Sequence, residues 1–97
     1  MAKYHLTNKA VQDLSEIWEY TYEEWSETQA DKYYNFLVES YQEVADNPNF
    51  GKPYDEIEKD LLGFKSNHHN IFFKVISPKE IEVERILHEK MDLKSKF

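Results

Sequence analysis

The sequence predicts an α+β fold: a two-layer sandwich with an N-terminal strand, an antiparallel helix hairpin and then a three-stranded antiparallel β-meander. Three observations predict it. Two consecutive stretches carry apolar residues at three- and four-residue steps, a short polar break separates them, and the last third of the chain alternates or runs apolar as strands do.

Tyr4-His5-Leu6-Thr7 fits a short first or edge strand, and Thr7 or Asn8 is placed to cap the helix after it. From Lys9 to Trp25, the residues Ala10, Leu14, Ile17, Trp18, Thr21 and Trp25 make the apolar stripe of an amphipathic helix, with Lys9, Gln12, Asp13, Glu16, Glu19 and Glu23 between them. The tryptophan-bearing stripe reads as core rather than as a ligand box. Ser26 with Gln29 reads as the capping box of a second helix, whose stripe is Ala30, Tyr33, Tyr34, Leu37, Val38, Tyr41, Val44 and Ala45. That helix stops at Asn47-Pro48, because the residue before a proline is biased away from helical backbone angles. So short a turn makes the two helices an antiparallel hairpin.

Pro48, Gly51 and Pro53 mark an irregular connection to about Leu61. Its charges, Asp55, Glu56, Glu58 and Asp60, read as solvated, while Ile57 and Leu61 are able to pin it to the body. Leu62 to Ser66, His68 to Ile76 and the run from Ile81 then read as strands, the last two joined by the four-residue connection Ser77-Pro78-Lys79-Glu80. The helix hairpin must cover one face of this sheet, because Ile71, Phe73 and Val75 cannot be left in water. In the last strand, strict alternation puts Ile81, Val83, Arg85 and Leu87 on one face and Glu82, Glu84, Ile86 and His88 on the other. The tail Leu93-Lys94-Ser95-Lys96-Phe97 has no clear pattern.

At 97 residues the chain is expected to be one domain, 1–97, burying roughly 60 to 70% of its unfolded surface. Aromatic residues make up 15% of it, so large rings supply the burial, while 32% charged residues and a mean hydropathy of −0.82 describe a highly charged exterior. The absence of cysteine excludes a disulfide framework, a thiolate nucleophile and any cysteine-bearing zinc site. No apolar run approaches the ~18 residues of a membrane span, and the N-terminus has no apolar signal region, so a cytoplasmic protein with no membrane partner is expected. A net charge of −7 and a pI near 5.0 argue against broad, sequence-independent nucleic-acid binding, which needs a cationic surface to displace phosphate counterions, and leave room only for a small basic patch; no direct sequence-specific nucleic-acid binding by this chain is expected.

Of twelve cationic side chains eleven are lysine, and Arg85 is the only arginine. On a strand face shared with aliphatic residues its guanidinium must find carboxylate or carbonyl partners, as a structural tie or as part of a site. His68-His69 invites a metal reading, but neighbours on a strand point to opposite faces and cannot chelate one ion together. Neither metal nor cofactor is expected. Glu23, Glu24 and Glu27 read as solvated helix-surface residues. The two glycines, Gly51 and Gly63, are too far apart for a phosphate-binding loop.

Several pieces, in order, resemble the ParE branch of the RelE/ParE family of bacterial toxins. They are Tyr4-His5-Leu6-Thr7 leading into Ala10-x-x-Asp13-Leu14-x-x-Ile17-x-x-Tyr20, Gln29-Ala30-x-x-Tyr33, Asn47-Pro48-x-x-Gly51, Ser66-x-x-His69-x-Ile71-Phe72-Phe73 and Arg85-Ile86-Leu87-His88-x-x-Met91-Asp92. The last carries the most weight, and together they span essentially the whole chain. The resemblance implies a RelE/ParE-like fold and the toxin of a two-gene module. It implies neutralisation by a ParD-like antitoxin that lays a segment along the toxin's groove, giving a hetero-oligomer. ParE-like members are described as poisons of DNA gyrase, and RelE-like members as ribosome-dependent mRNA endoribonucleases.

RNA cleavage by a 2′-hydroxyl needs a proton acceptor, cations around the phosphate and a donor to the leaving oxygen. The residues available are Lys65, Lys74, Arg85, His88 and Lys90, with no tyrosine beyond Tyr54, and alternation separates Arg85 from His88 unless the strand ends or bulges between them. The expectation is therefore a non-enzymatic toxin that acts by binding. Its contact end is expected at Arg85, His88, Met91, Asp92 and Phe97, with gyrase the target by resemblance alone. An endoribonuclease of the RelE kind and a non-toxic homologue are the alternatives.

Overall fold

The computed structural model describes residues 2–97 and sets two helices against one face of a five-stranded mixed sheet. In chain order the elements are β1 (Lys3–Leu6), α1 (Asn8–Glu24), α2 (Glu27–Asp46), a 3₁₀ turn (Pro48–Phe50), β2 (Lys52–Pro53), β3 (Leu62–Ser66), β4 (His69–Ser77), β5 (Glu80–His88) and a second 3₁₀ turn (Leu93–Ser95). The strands lie in the order β1-β5-β4-β3-β2, with β1 parallel to β5 and every other pair antiparallel.

Local chemistry sets the boundaries. Thr7 caps α1 by accepting from the Ala10 amide at 3.1 Å, and Ser26 caps α2 by accepting from the Gln29 amide at 3.1 Å. α2 ends at Asn47, ahead of Pro48. Asn67 supplies the left-handed backbone (φ 58°) that the tight β3–β4 turn needs, a conformation asparagine tolerates. Ser77 pairs with Glu80, so the β4–β5 connection is a two-residue turn of Pro78 and Lys79 rather than the four-residue link expected.

The sheet is buried on both faces. Ile71, Phe73, Ile81, Val83 and Ile86 pack against Ala10 and Leu14 of α1 and Leu37, Tyr41, Val44 and Ala45 of α2. On the other face Phe72 and Leu87 close over Leu61, with Tyr54, Ile57 and Leu93 around them. The loop before β3 is thus pinned by Ile57 and Leu61 as its sequence suggested, and it also contributes β2, a two-residue edge strand the sequence did not announce.

Three expectations are corrected. Val75 is 45% exposed: it pairs with Ile81 but lies outside the cluster that the two helices cover. The apolar stripes are not wholly core, since Trp25 is 74% exposed and Tyr34 41%. Most consequential, the alternation of β5 does not run through. Phe72 pairs with Arg85 and Phe73 with Val83, so Glu84 is a bulge residue opposite no partner. Beyond it Ile86 joins Ile81 and Val83 in the helix-facing core, while Leu87 joins the opposite cluster.

Gly63 of β3 has no room for a side chain: a Cβ there would lie 2.6 Å from Tyr54 Cε2 and 3.1 Å from Phe72 Cε1. Gly63→Ala should therefore force the Tyr54 and Phe72 rings apart and lower stability by about 1–3 kcal/mol. Equilibrium urea unfolding measures this, and an unchanged midpoint would contradict it.

Candidate functional site

β1 stops at Leu6, opposite Val83, so from the bulge onward β5 has an open outer edge. Thr7 closes its first part, its amide donating to the Val83 carbonyl at 3.0 Å and its hydroxyl to the Glu84 carbonyl at 2.9 Å. Asp13 closes the next. From the buried side of α1 its carboxylate accepts the Ile86 amide at 3.0 Å and takes Arg85 in a two-point bond, Nε at 2.7 Å and Nη2 at 3.0 Å. The remaining nitrogen, Nη1, donates to the Lys96 carbonyl at 2.7 Å. Arg85 therefore joins α1, β5 and the C-terminal tail, and all three of its nitrogens are engaged. The two side chains are only 15% and 9% exposed, so the pair is shielded from solvent screening.

Past this clasp, the C-terminal half of α1 and the start of α2 overhang the end of the sheet and leave a groove of about 690 Å³. Ile17, Tyr20 and Trp25 form its helical wall, Tyr33 and His69 its floor, and Ile86, His88 and Met91 its strand side. The wall is open to solvent, with Tyr20 65% exposed. Trp18, one position from the groove-lining Ile17, is instead fixed on the outside by donating to Asp31 at 3.0 Å and stacking on Tyr22.

At the floor, Tyr33 Oη lies 2.6 Å from His69 Nδ1. Burial raises the Tyr33 phenol and pulls His69 down to about 4, helped by the neighbouring His88 and His68 rings, so both are neutral near pH 7 and the phenol donates to the imidazole. His88 meets the His69 ring edge-on at 5.3 Å and accepts the Lys90 amide on Nδ1 at 3.2 Å. At the rim Glu89 is held down to about 2 by Lys65 first and then by His68. On the opposite side of β5 the bulge residue Glu84 is pushed up to about 7 by burial and by the adjoining Glu82 carboxylate, and its Oε2 is buried without a partner.

Of the residues expected at the contact end, Arg85, His88 and Met91 line the groove. Asp92 and Phe97 do not. Asp92 caps the last 3₁₀ turn by accepting the Lys94 amide at 3.2 Å, and Phe97 packs edge-on against Phe72 at 5.4 Å on the far face of the sheet. The cations considered for RNA cleavage are dispersed: Lys65 pairs with Glu89 at 2.9 Å, and Lys74 pairs with Glu58 of the loop at 3.2 Å. Arg85 and His88 both line the groove, although β5 pairs regularly from Arg85 to His88 and keeps them in opposite phase; the long Arg85 side chain reaches the groove by turning over the open edge of β5 towards Asp13. Sequence reasoning missed Asp13, Tyr33 and His69. Asp13 falls between Ala10, Leu14 and Ile17 on the buried arc of α1, which was the available signal. Among the described residues no three His, Asp or Glu side chains are placed to share a metal ion.

A family model described as the ParE toxin of type II toxin–antitoxin system, parDE, matches residues 4–93. Toxin ParE1 of Mycobacterium tuberculosis (strain ATCC 25618 / H37Rv) is 34% identical over 92 residues, 95% of this chain and 94% of that protein. Toxin ParE1 of Caulobacter vibrioides is 28% identical over 95 residues, 98% and 97% of the two chains, and Toxin ParE of Escherichia coli is 31% identical over 97 residues, 100% and 94%. In structure, a chain of the chromosomal ParDE TA system from P. aeruginosa superposes with a TM-score of 0.75 at 22% identity, covering 91% of this chain and 95% of that one. A chain of the M. tuberculosis RelBE2 toxin–antitoxin complex gives 0.69 at 13%, covering 90% and 96%. These two show that the fold is shared.

The geometry yields two expected outcomes. Asp13→Ala should cost about 3–5 kcal/mol, because it leaves the shielded Arg85 charge unpaired, whereas adding Arg85→Met should recover much of that loss. A double-mutant cycle by urea unfolding reads the coupling, and additive losses would contradict the pairing. For pH, unfolded histidine binds its proton near 6.5 but folded His69 only near 4, so its contribution to stability is lost as pH falls through that window. Glu84 acts with the opposite sign, holding its proton up to about 7 when folded against 4.5 when free. His69→Gln should therefore lose less stability than the parent between pH 6.5 and 4, and equal slopes in urea titrations would contradict the assignment.

Proposed function

The chain belongs to the ParE toxin family of type II toxin–antitoxin systems, and from that premise we propose that it is the toxin of such a pair, neutralised by a cognate ParD-like antitoxin and acting by binding rather than by cutting RNA. DNA gyrase is the target this reading expects. The antitoxin is the occupant of the groove, which leaves Tyr20, Trp25 and Met91 exposed in the lone chain. That a related fold occurs in a complex described as toxin–antitoxin supports a hetero-oligomer.

The observation that carries the choice of binding over cleavage is the state of Arg85. A phosphate-cleaving site needs a cation free to meet the charge that develops in the transition state. Here the only arginine is committed to Asp13 and to the Lys96 carbonyl. Lys74 is tied to Glu58, outside the groove. Within this reading the chain works as one domain over 1–97, with Arg85, His88 and Met91 at the contact surface and Asp92 and Phe97 shaping the tail behind it. A gyrase-directed toxin acts in the cytoplasm, and no helix among the described residues is long and apolar enough to cross a membrane. The runner-up, ribosome-dependent mRNA cleavage, draws on Tyr33, His69 and His88 meeting at the groove floor.

The test is a gyrase supercoiling assay with the purified chain, run beside an in vitro translation reaction probed for cut mRNA. Inhibited supercoiling or trapped cleaved DNA with intact mRNA is the expected result. Cut mRNA with normal gyrase would overturn it and make Tyr33, His69 and His88 the catalytic residues to pursue.

A further inference from the structure

The negative charge of this protein is not spread over its surface. Between Asn8 and Asp46 the two helices hold ten carboxylates against Lys9 and Lys32, a net −8, whereas the whole chain is −7. The sheet, loops and tail are therefore close to neutral. Of the helical carboxylates Asp13 is spent on Arg85, and none of the others is in an ion pair among the described residues.

The groove runs along this anionic layer. Glu16, Tyr20 and Glu24 come at four-residue steps, which stacks them on one face of α1, and Glu16 and Tyr20 both line the groove. Trp25 lines the groove as well, and Glu23, Glu24 and Glu27, close to it in sequence, are exposed. The wall is thus an aromatic strip edged by unpaired carboxylates. Ile17, Ile86 and Met91 behind it supply the apolar interior. Such a surface favours alkyl chains that end in a positive charge, since a lysine or arginine stem packs on the rings while its head meets the carboxylates. An acidic segment in the same place would face like charge at Glu16 and along the exposed C-terminal half of α1, the groove's own cations being Arg85, already held by Asp13, and Lys96 at the tail.

We propose that the antitoxin segment that fills the groove is cationic, with aliphatic side chains directed at Ile17, Ile86 and Met91 and lysine or arginine side chains lying over Tyr20 and Trp25 towards Glu16 and Glu24. This rests on the reading of the groove as the antitoxin site and adds the chemistry of the partner.

Two peptides of about 18 residues, each roughly 27 Å long as a helix, test it. Both carry the same leucine stripe, one with lysine and the other with glutamate at the polar positions. Binding to the full chain is measured by calorimetry. The lysine peptide should bind at least roughly tenfold more tightly, lose most of that advantage at about 1 M salt, where the screening length falls to about 3 Å, and be weakened by both Trp25→Ala and Glu16→Gln/Glu24→Gln. Equal affinity, or tighter binding of the glutamate peptide, with sensitivity to Trp25→Ala would overturn the cationic partner while leaving the groove as the docking site. Lysine-peptide binding indifferent to Trp25→Ala, or no binding by either peptide, would overturn the groove reading and this inference with it.

Discussion

One side-chain pair decides how this small sheet ends. β1 is only four residues long and leaves the second half of β5 with an open edge, which would otherwise expose unpaired amides to water or to another chain. Asp13 takes the place a further strand would have had, accepting the Ile86 amide with the same carboxylate that holds Arg85. Arg85 in turn fastens the tail through the Lys96 carbonyl. Helix, strand and tail are thereby set relative to one another, and the groove exists because those three parts are held apart at its edges and open between.

The bulge at Glu84 is what makes this possible. Without it, alternation would carry Arg85 into the core face occupied by Ile81 and Val83 and covered by Ala10 and Leu14 of α1. The extra residue resets the phase, sends Ile86 into the core instead and leaves Arg85 at the edge within reach of α1. The same displacement leaves the Glu84 carboxyl shielded and short of a partner, which is why it holds its proton to about 7. A local irregularity thus exchanges strain at one carboxyl for the placement of the only arginine.

Much of the fold was legible because it rests on periodicity and caps, which are local. Thr7, Ser26 and Asn47-Pro48 marked the helix limits, and the alternation of Ile71, Phe73, Ile81 and Val83 marked the buried face. What was not legible depended on pairing across the chain. No pattern within β5 announces a bulge, since it exists only relative to β4, and the parallel partnership of β1 with β5 joins residues more than seventy positions apart. For the candidate site, Arg85, His88 and Met91 were found through their own residue types and their place in the family's closing motif. Asp92 came from the same motif and Phe97 from proximity in sequence, but Asp92 caps the last 3₁₀ turn and that turn carries Phe97 to the opposite face of the sheet. The exposure of Trp25 escaped notice because an amphipathic stripe records which side of a helix is apolar, not whether a sheet reaches far enough to cover it.

The central claim is that Arg85 is a structural tie and not a free cation waiting for phosphate. Nitrogen-15 NMR of its guanidinium tests this most directly. The account predicts separate, slowly exchanging Nη1 and Nη2 signals near neutral pH, with rotation about the guanidinium bonds hindered by Asp13 and the Lys96 carbonyl, and merging of the two in Asp13→Ala. Averaged, rapidly exchanging signals in the parent chain, unaltered by removing Asp13, would contradict it.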